Sequence, residues 1–484
     1  MILHKWLHES TKKRGGAKAL VYRDTYLSWR GLEHRAARRA QEFASMGVAR
    51  GQWVGLMLGN VPDFAILALA LSKLGATVVP LDPTTGARDL GLILEHAPLR
   101  ALVTRPRGGV EAAPQPLALS RDGEPVEAVE SRRRLQGTLL TCSVYKEKRP
   151  APGKAAVVLY TNQANGEPKG VLRTDDNLQQ AADQNGVALD ANDEDRILTT
   201  VPLYHSYGFD LGLCLALRFG STLFLEDDVA AKRVVKILRE QDINLLPGTP
   251  SLYGGLAKLP TAKVLKIKNA RYLSSGSALP ESIAEEFKDR LGLRIIPVYH
   301  MTETSMIACD RKGSAADSVG KPIEGVSVRV GDAKSNGAPA SVWIKSKSIA
   351  QVNIGGRRPV RGEVGVGDFD SQQFLRSGDL ATQDKSGRLF LAGREDHLVK
   401  VDGKRVALSE VEDCLHSFVK VRAAKVRVVM DPFGGLIMVA SVVLDGKSSA
   451  EEIIDHCAKA LAPYKVPRRI EFCQSLPGSD AAVA

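Results

Sequence analysis

Between residues 20 and 85 the chain changes its hydrophobic period again and again, and this pattern limits the folds open to it more than any other feature. Leu32, Ala36, Ala40 and Phe43 recur at helical spacing, with Ser28 ahead of them as a cap and Gly47 behind as a stop. Trp53 to Leu58 then reads as a short buried strand. Asn60 or Asp63 opens a second helix, rich in Ala and Leu, that ends at Gly75. Ala76 to Leu81 is a further apolar run closed by Asp82-Pro83. The alternation returns at Thr222–Leu225, Ala231–Gln241 and Ile243–Leu246. Such a pattern predicts an α/β protein of mostly parallel sheets covered by helices.

A chain of 484 residues exceeds one ordinary domain, and a hydrophobic share of 44% is enough for a large core. No apolar stretch reaches the ~20 residues of a membrane span. The opening M-I-L-H-K-W-L-H-E-S has no signal-peptide core. Cys142, Cys214, Cys309, Cys414, Cys457 and Cys473 are scattered, without a C-x-x-C pair. The expectation is a cytoplasmic protein with reduced thiols, no membrane partner and no zinc site. The net charge of +11 raises nucleic-acid binding, but no binding motif is present and aromatics are only 5%. Anionic small molecules or an acidic protein suit that charge as well. Arg132-Arg133-Arg134 reads as solvated surface, and residues 105–152, without periodicity, as a connecting region.

At 157–174 stands V-V-L-Y-T-N-Q-A-N-G-E-P-K-G-V-L-R-T, a β-favouring run that leads into glycines and a lysine. Flexible backbone turns N–H groups inward and the ammonium adds a point charge, which suits phosphate. The spacing is not that of the P-loop. It resembles the loop T-S-G-T-T-G-x-P-K-G of the adenylate-forming superfamily, which holds acyl- and aryl-CoA synthetases, luciferases and peptide-synthetase adenylation domains. Thr161, Gly166, Pro168, Lys169 and Gly170 match, whereas Asn162, Gln163, Ala164 and Asn165 replace Ser, Gly, Thr and Thr.

The resemblance continues along the chain. V-P-L-Y-H-S-Y-G-F-D-L-G (201–212) places His205 where the family lines its acyl pocket, as a wall or gate. The small-residue turn Ser274 to Leu279 implies a bed for adenine at Gly276. V-Y-H-M-T-E-T-S (298–305) is similar to the family's Y-G-x-T-E. It implies Tyr299 on the adenine, Thr302 on the α-phosphate and Glu303 on Mg²⁺, a hard cation that takes oxygen ligands. His300 replaces the glycine, either as a space-filling side chain or as a proton carrier. Residues 376–412 carry the most specific signature. There Asp379 and Arg394 are implied to hold the ribose, and Asp396 to be the hinge between a large domain (1–394) and a small α+β lid (395–484). Lys400 to Arg405, with Gly403, is implied to swing toward a pantetheine tunnel. A-P-Y-K-V-P-R-R-I-E-F (462–472) also matches. Where the family then has L-P-x-T-x-x-G-K, this chain has Ala482 and Val483 for the glycine and the catalytic lysine.

Loss of that lysine and of the loop hydroxyls strikes the adenylation half of the family's chemistry, since one lost donor costs ~10²–10³ in rate. The ribose acid, hinge and lid loop are kept. This split implies an enzyme that handles a CoA thioester, with ATP, AMP and Mg²⁺ in doubt. It would pass an aryl or acyl group from CoA to a second thiol, such as a pantetheinylated acyl carrier protein of polyketide-type biosynthesis. His205, His300 and Lys400 are the catalytic candidates, and Cys309 could assist. The alternatives are an ordinary ATP-dependent ligase joining a small carboxylic acid to CoA through an acyl-AMP, and a non-catalytic regulator that binds acyl-CoA or a nucleotide.

Overall fold

The computed structural model describes the chain except residues 86, 106–128, 139, 146–153, 163–167, 260–266, 277–278, 312, 314–316, 332–338, 355–363, 367, 395–397, 402–403, 432–434 and 474–484. Among the described residues, two nine-stranded sheets build the large N-terminal domain. In one, Ile295–Met301, Arg271–Ser274, Leu245–Gly248, Arg196–Thr199, Thr222–Leu225 and Lys18–Tyr22 run parallel side by side. In the other the parallel set is Val157–Asn162, Thr77–Leu81, Trp53–Met57 and Leu99–Thr104. Parallel strands buried on both faces read as unbroken apolar runs, and every residue of Trp53–Met57 and Thr77–Leu81 is buried.

Helix Trp29–Ser45 turns Leu32, Ala36, Ala40 and Phe43 inward, and Ser28 caps it by accepting from the Gly31 amide. Helix Pro62–Leu74 is buried on all sides from Phe64 to Ser72, hence its lack of a polar face. It starts at Pro62 after Val61, not at Asn60 or Asp63. Asn60 has another task. Its buried amide donates to the carbonyls of Thr199, Val201 and Glu226 (3.1, 3.3 and 3.3 Å) and accepts from the Leu203 amide at 2.8 Å. The loop after one sheet's strand is thereby clasped to strand ends of the other.

The stretch read as a connector contains two strands. Val129–Arg134 and Thr141–Tyr145 pair antiparallel and extend the second sheet beyond Leu99–Thr104. An edge strand needs only backbone partners, and arginines there deter edge-to-edge association. V-E-S-R-R-R therefore carries no apolar alternation to be read.

A four-stranded antiparallel sheet (Val326–Val330, Ala340–Ser346, Leu375–Gln383, Leu389–Arg394) follows. The smaller C-terminal domain has its own core. Val421–Met430, Leu436–Leu444 and Arg469–Phe472 form a sheet, and Val411, Leu415, Met438, Val442 and Ile453 pack with helices Leu408–His416 and Ala450–Ala460. No helix among the described residues is long and apolar enough to cross a membrane.

Asn60→Ala leaves four buried backbone groups short of a partner. The expected loss is about 1–3 kcal/mol of stability, read as a lower denaturant midpoint with the slope unchanged. An unaltered midpoint would show that the clasp contributes nothing.

Candidate active site

Two cavities open where the parallel strands of the large domain end. The first, about 720 Å³, is lined by Asp82, Thr161, His205, Tyr207 and Thr302, and from the small domain by Lys404, Tyr464 and Arg468. The second, about 740 Å³, is lined by Tyr299, Asp379, Gly393 and Arg394. Ser275, Gly276 and His300 belong to the walls of both.

Register explains the second cavity's charges. Asp379 and Arg394 face each other across a strand pair, and the guanidinium donates to Oδ1 at 2.7 Å. The Tyr299 hydroxyl donates to Oδ2 at 2.5 Å. Burial first, then the Asp379 carboxylate, pushes this phenol far above its ordinary range, so it remains a donor. The ring expected to lie on adenine thus lines the cavity with its hydroxyl on Asp379, the acid expected for the ribose. Gly276, at φ +98°, takes a backbone conformation that favours glycine.

Next in sequence to Pro168 and Thr302, which line the first cavity, Lys169 Nζ donates to Glu303 Oε1 at 2.7 Å, and Glu303 is 5% exposed. The Thr302 hydroxyl lies 3.0 Å from that of Ser206. An ammonium, a carboxylate and a hydroxyl are thus gathered from three distant segments. Among the described residues no cluster of three His, Cys, Asp or Glu could hold a metal ion. A single carboxylate fits Mg²⁺ that also takes substrate phosphates and water.

Beneath His300 lies a charge pair that sequence reading missed. Arg173 Nη1 donates to both oxygens of Asp210 at 2.7 Å, and His300 Nε2 is 3.3 Å from Oδ2. All three side chains are buried. Burial raises the Asp210 carboxyl, but Arg173 and then His300 outweigh it and hold the group below its usual range. The Tyr207 ring meets the imidazole edge-on with centroids 5.3 Å apart. A signal was available: V-L-R-T and F-D-L-G each set one charge within an apolar run. His205 begins the turn Ser206–Gly208, accepting from the Tyr207 amide through Nδ1 at 3.2 Å, and forms part of the first cavity's wall.

The small domain reaches into the first cavity through the hairpin Leu398–Val401 and Lys404–Ala407. Lys404 pairs with Asp82, lies 3.5 Å from the Tyr204 hydroxyl and sits over the Tyr464 ring, 4.4 Å from its centroid. Lys465, wholly buried, donates to Asp89 of the large domain at 2.8 Å and to Glu410 of the small one at 2.7 Å. Burial depresses this ammonium, yet Tyr464, Glu410 and Asp89 together raise it above the ordinary lysine range. Sequence reading named neither lysine. Gly166, Asp396, Gly403 and Val483, and the Lys400 side chain, lie outside the described residues. Cys309 lines neither cavity, and burial pushes its thiol up to about 11.

A large α/β domain, a small lid-sized domain, and an acyl-sized cavity beside one with a ribose-type acid define an adenylate-forming enzyme of the acyl- and aryl-CoA synthetase branch. The chain belongs to the AMP-binding enzyme family: the AMP-binding enzyme model matches residues 7–352, and that of the AMP-binding enzyme C-terminal domain residues 410–480. It is 26% identical to a 2-succinylbenzoate–CoA ligase of Bacillus licheniformis, covering 98% of this chain and 96% of the relative. It is also 26% identical to a feruloyl-CoA synthase of Amycolatopsis, with the same coverage. In fold it resembles o-succinylbenzoate CoA synthetase of Bacillus subtilis bound with a product analogue. The TM-score there is 0.79, with 22% identity, 98% of this chain and 95% of that one covered. A malonyl-CoA ligase with methylmalonyl-CoA and AMP bound gives a TM-score of 0.74 and 26% identity, over 95% of this chain and 96% of that one.

Two predictions follow from the charges. Lys465→Met leaves two carboxylates facing one another without their cation, at a cost of about 3–5 kcal/mol to domain docking. Hydrogen exchange should quicken in Lys404–Ala407, and Lys465→Arg should keep most of the protection. Equal protection in Lys465→Met would refute the latch. Cys309 ionises only as pH climbs toward about 11, so about one thiol in 10³ is thiolate at pH 8. Cys309→Ser should therefore change turnover by less than about twofold, and a loss near the 10²-fold scale of a catalytic group would contradict this.

Proposed function

We propose that the chain is an ATP-dependent ligase that joins a compact carboxylic acid, aryl in preference to long-chain, to the thiol of CoA through an acyl-adenylate. The observation that carries this reading is the shared wall: His300, Ser275 and Gly276 line both an acyl-sized cavity and the cavity of Tyr299, Asp379 and Arg394. An acid in the first and a nucleotide in the second would meet at Thr302, beside Lys169 and Glu303.

In the first half-reaction a carboxylate oxygen attacks the α-phosphorus, and the bond to the leaving pyrophosphate breaks. Lys169, Thr161 and Thr302 act as cationic and hydroxyl donors to the phosphates. Asp379 accepts from the ribose diol, with Arg394 and Tyr299 holding the carboxylate in place. Glu303 would hold Mg²⁺, which neutralises charge on the phosphates. In the second half the thiol sulfur attacks the acyl carbon, and its proton and AMP depart. The hairpin carrying Lys404 lies in the first cavity, an arrangement that suits this second half. The domain boundary is placed at residues 394 and 395, with Asp396 as the hinge.

Val483 and the loop at 162–165, taken from sequence alone, favour transfer from CoA to a carrier-protein thiol. Val483 and residues 163–167 lie outside the described residues. The relatives named above are CoA ligases and synthases, which supports the ligase reading.

The test is to supply small aryl and aliphatic acids with ATP, Mg²⁺ and CoA and to follow pyrophosphate and thioester. Acid-dependent pyrophosphate release with stoichiometric thioester is expected. Transfer from preformed acyl-CoA to a pantetheinylated carrier, with no pyrophosphate release in any mixture, would overturn the proposal. Lys169→Met should lower the first half-reaction by about 10²–10³. His300→Gly should shift preference toward bulkier acids by about ten- to a hundredfold in kcat/KM ratio, and an unchanged ratio would remove His300 from specificity.

A further inference from the structure

A third cavity, about 580 Å³, lies apart from the two above and is lined by Arg35, Arg38, Arg39, Arg105, Asp63 and the turn Gln136–Thr138. Three of the arginines come from successive turns of helix Trp29–Ser45, spaced so that they share a face, and Arg105 comes from the end of strand Leu99–Thr104. The turn is pinned to the helix. Arg39 donates to the Gln136 carbonyl at 2.8 Å and pairs with Glu42, whose other oxygen accepts from the Gln136 amide at 2.8 Å. Arg38 donates to the Gln136 side chain at 3.2 Å. One wall of the cleft is thus held in place, while Arg35 and Arg105 have no hydrogen-bond partner among the described residues.

Asp63 is the lining carboxylate. Burial raises it, and Arg39, Arg105 and Arg35 pull the other way without prevailing. Four guanidiniums against the carboxylates of Asp63 and Glu42 leave a concave surplus of positive charge. Planar guanidinium forks match phosphate oxygens two at a time, and the volume is that of a small-ligand site, not of a flat protein contact. Val61, which lines the cleft, follows Asn60, whose amide bonds to Val201, and Val201 lines the first cavity. The cleft therefore sits behind the wall of the main site.

We propose that this cleft binds a small anion bearing several phosphate charges, at a site separate from the one used in catalysis. The anion's source is a free pyrophosphate or the phosphate chain of a nucleotide such as ATP or CoA. The proposal does not depend on which acid the enzyme uses.

The test is titration calorimetry of the full chain with inorganic pyrophosphate, ATP and CoA in turn, in the Lys169→Met background that weakens the catalytic phosphate site. One-to-one binding of at least one probe is expected. Adding Arg35→Glu and Arg105→Glu should weaken it by about tenfold or more. Arg35→Lys with Arg105→Lys should weaken it less. Both residues are exposed, so the unfolding midpoint should hold. Arg35→Gln with Arg105→Gln provides a milder pair if charge reversal lowers the midpoint. Tightest binding by pyrophosphate identifies the free anion, and tightest binding by ATP or CoA the nucleotide. Affinity unchanged by both the Glu and Gln pairs, or no binding of any probe in the Lys169→Met background, overturns the proposal. So does polyglutamate binding more tightly than every phosphate probe.

Discussion

The buried pair of Arg173 and Asp210 sets the shape of the site. Two full charges removed from water cost several kcal/mol each, and their attraction offsets this only with good geometry. Here one nitrogen, Arg173 Nη1, is shared between both carboxylate oxygens at 2.7 Å, and His300 adds a further contact at 3.3 Å. The gain is position more than stability. Arg173 ends the strand Pro168–Arg173 that begins beside the phosphate loop, Asp210 sits in the segment Phe209–Cys214 after the acyl-pocket turn, and His300 lies on Ile295–Met301. The ion pair and the imidazole contact therefore tie together three segments, and His300 on the last of them lines both cavities. Losing either partner would leave an unpaired charge beneath the imidazole that both cavities share.

This anchor also bears on how the reaction centre tolerates its substitutions. The sequence replaces several loop residues, yet Lys169 at the end of the loop and groups outside it remain assembled: Lys169 on Glu303, Thr302 on Ser206, Asp379 between Tyr299 and Arg394. Electrostatic stabilisation depends on donors fixed before charge develops. Side chains already in contact need little reorganisation on binding a substrate. The surviving set is therefore the part of the machinery with its geometry prepaid by packing.

Much of the fold was legible because burial writes itself into period. Leu32, Ala36, Ala40 and Phe43 could face only a core, and the apolar runs at Trp53 and Thr77 could only be strands inside a sheet. Legibility failed where backbone alone decides, as in the edge strand Val129–Arg134, whose side chains satisfy no pattern. It failed again at Asn60, read as a helix start because short polar residues favour caps. Instead its amide meets carbonyls more than a hundred residues away. In the site, residues within a recognisable motif could be named from sequence. Arg173, Asp210, Lys404 and Lys465 stand in the same stretches, but each acquires its role from a partner brought close only by the tertiary fold.

Lys465 shows what such long-range partners imply for motion. A lysine with no exposed surface keeps its charge here because carboxylates of both domains surround it. Undocking the small domain strips away Asp89 but leaves Glu410, so the ammonium stays paired while it regains water. The desolvation cost of the docked state is thus recovered on opening, and the net hold of the latch is smaller than its two short contacts suggest. The Lys404–Asp82 pair, one-fifth exposed on the lysine side, behaves similarly. A domain that reorients, as the proposed lid would, needs orientations separated by only a few kcal/mol. Ion pairs that exchange one partner for water supply a gap of that size, whereas an apolar seam of equal area would lock the lid.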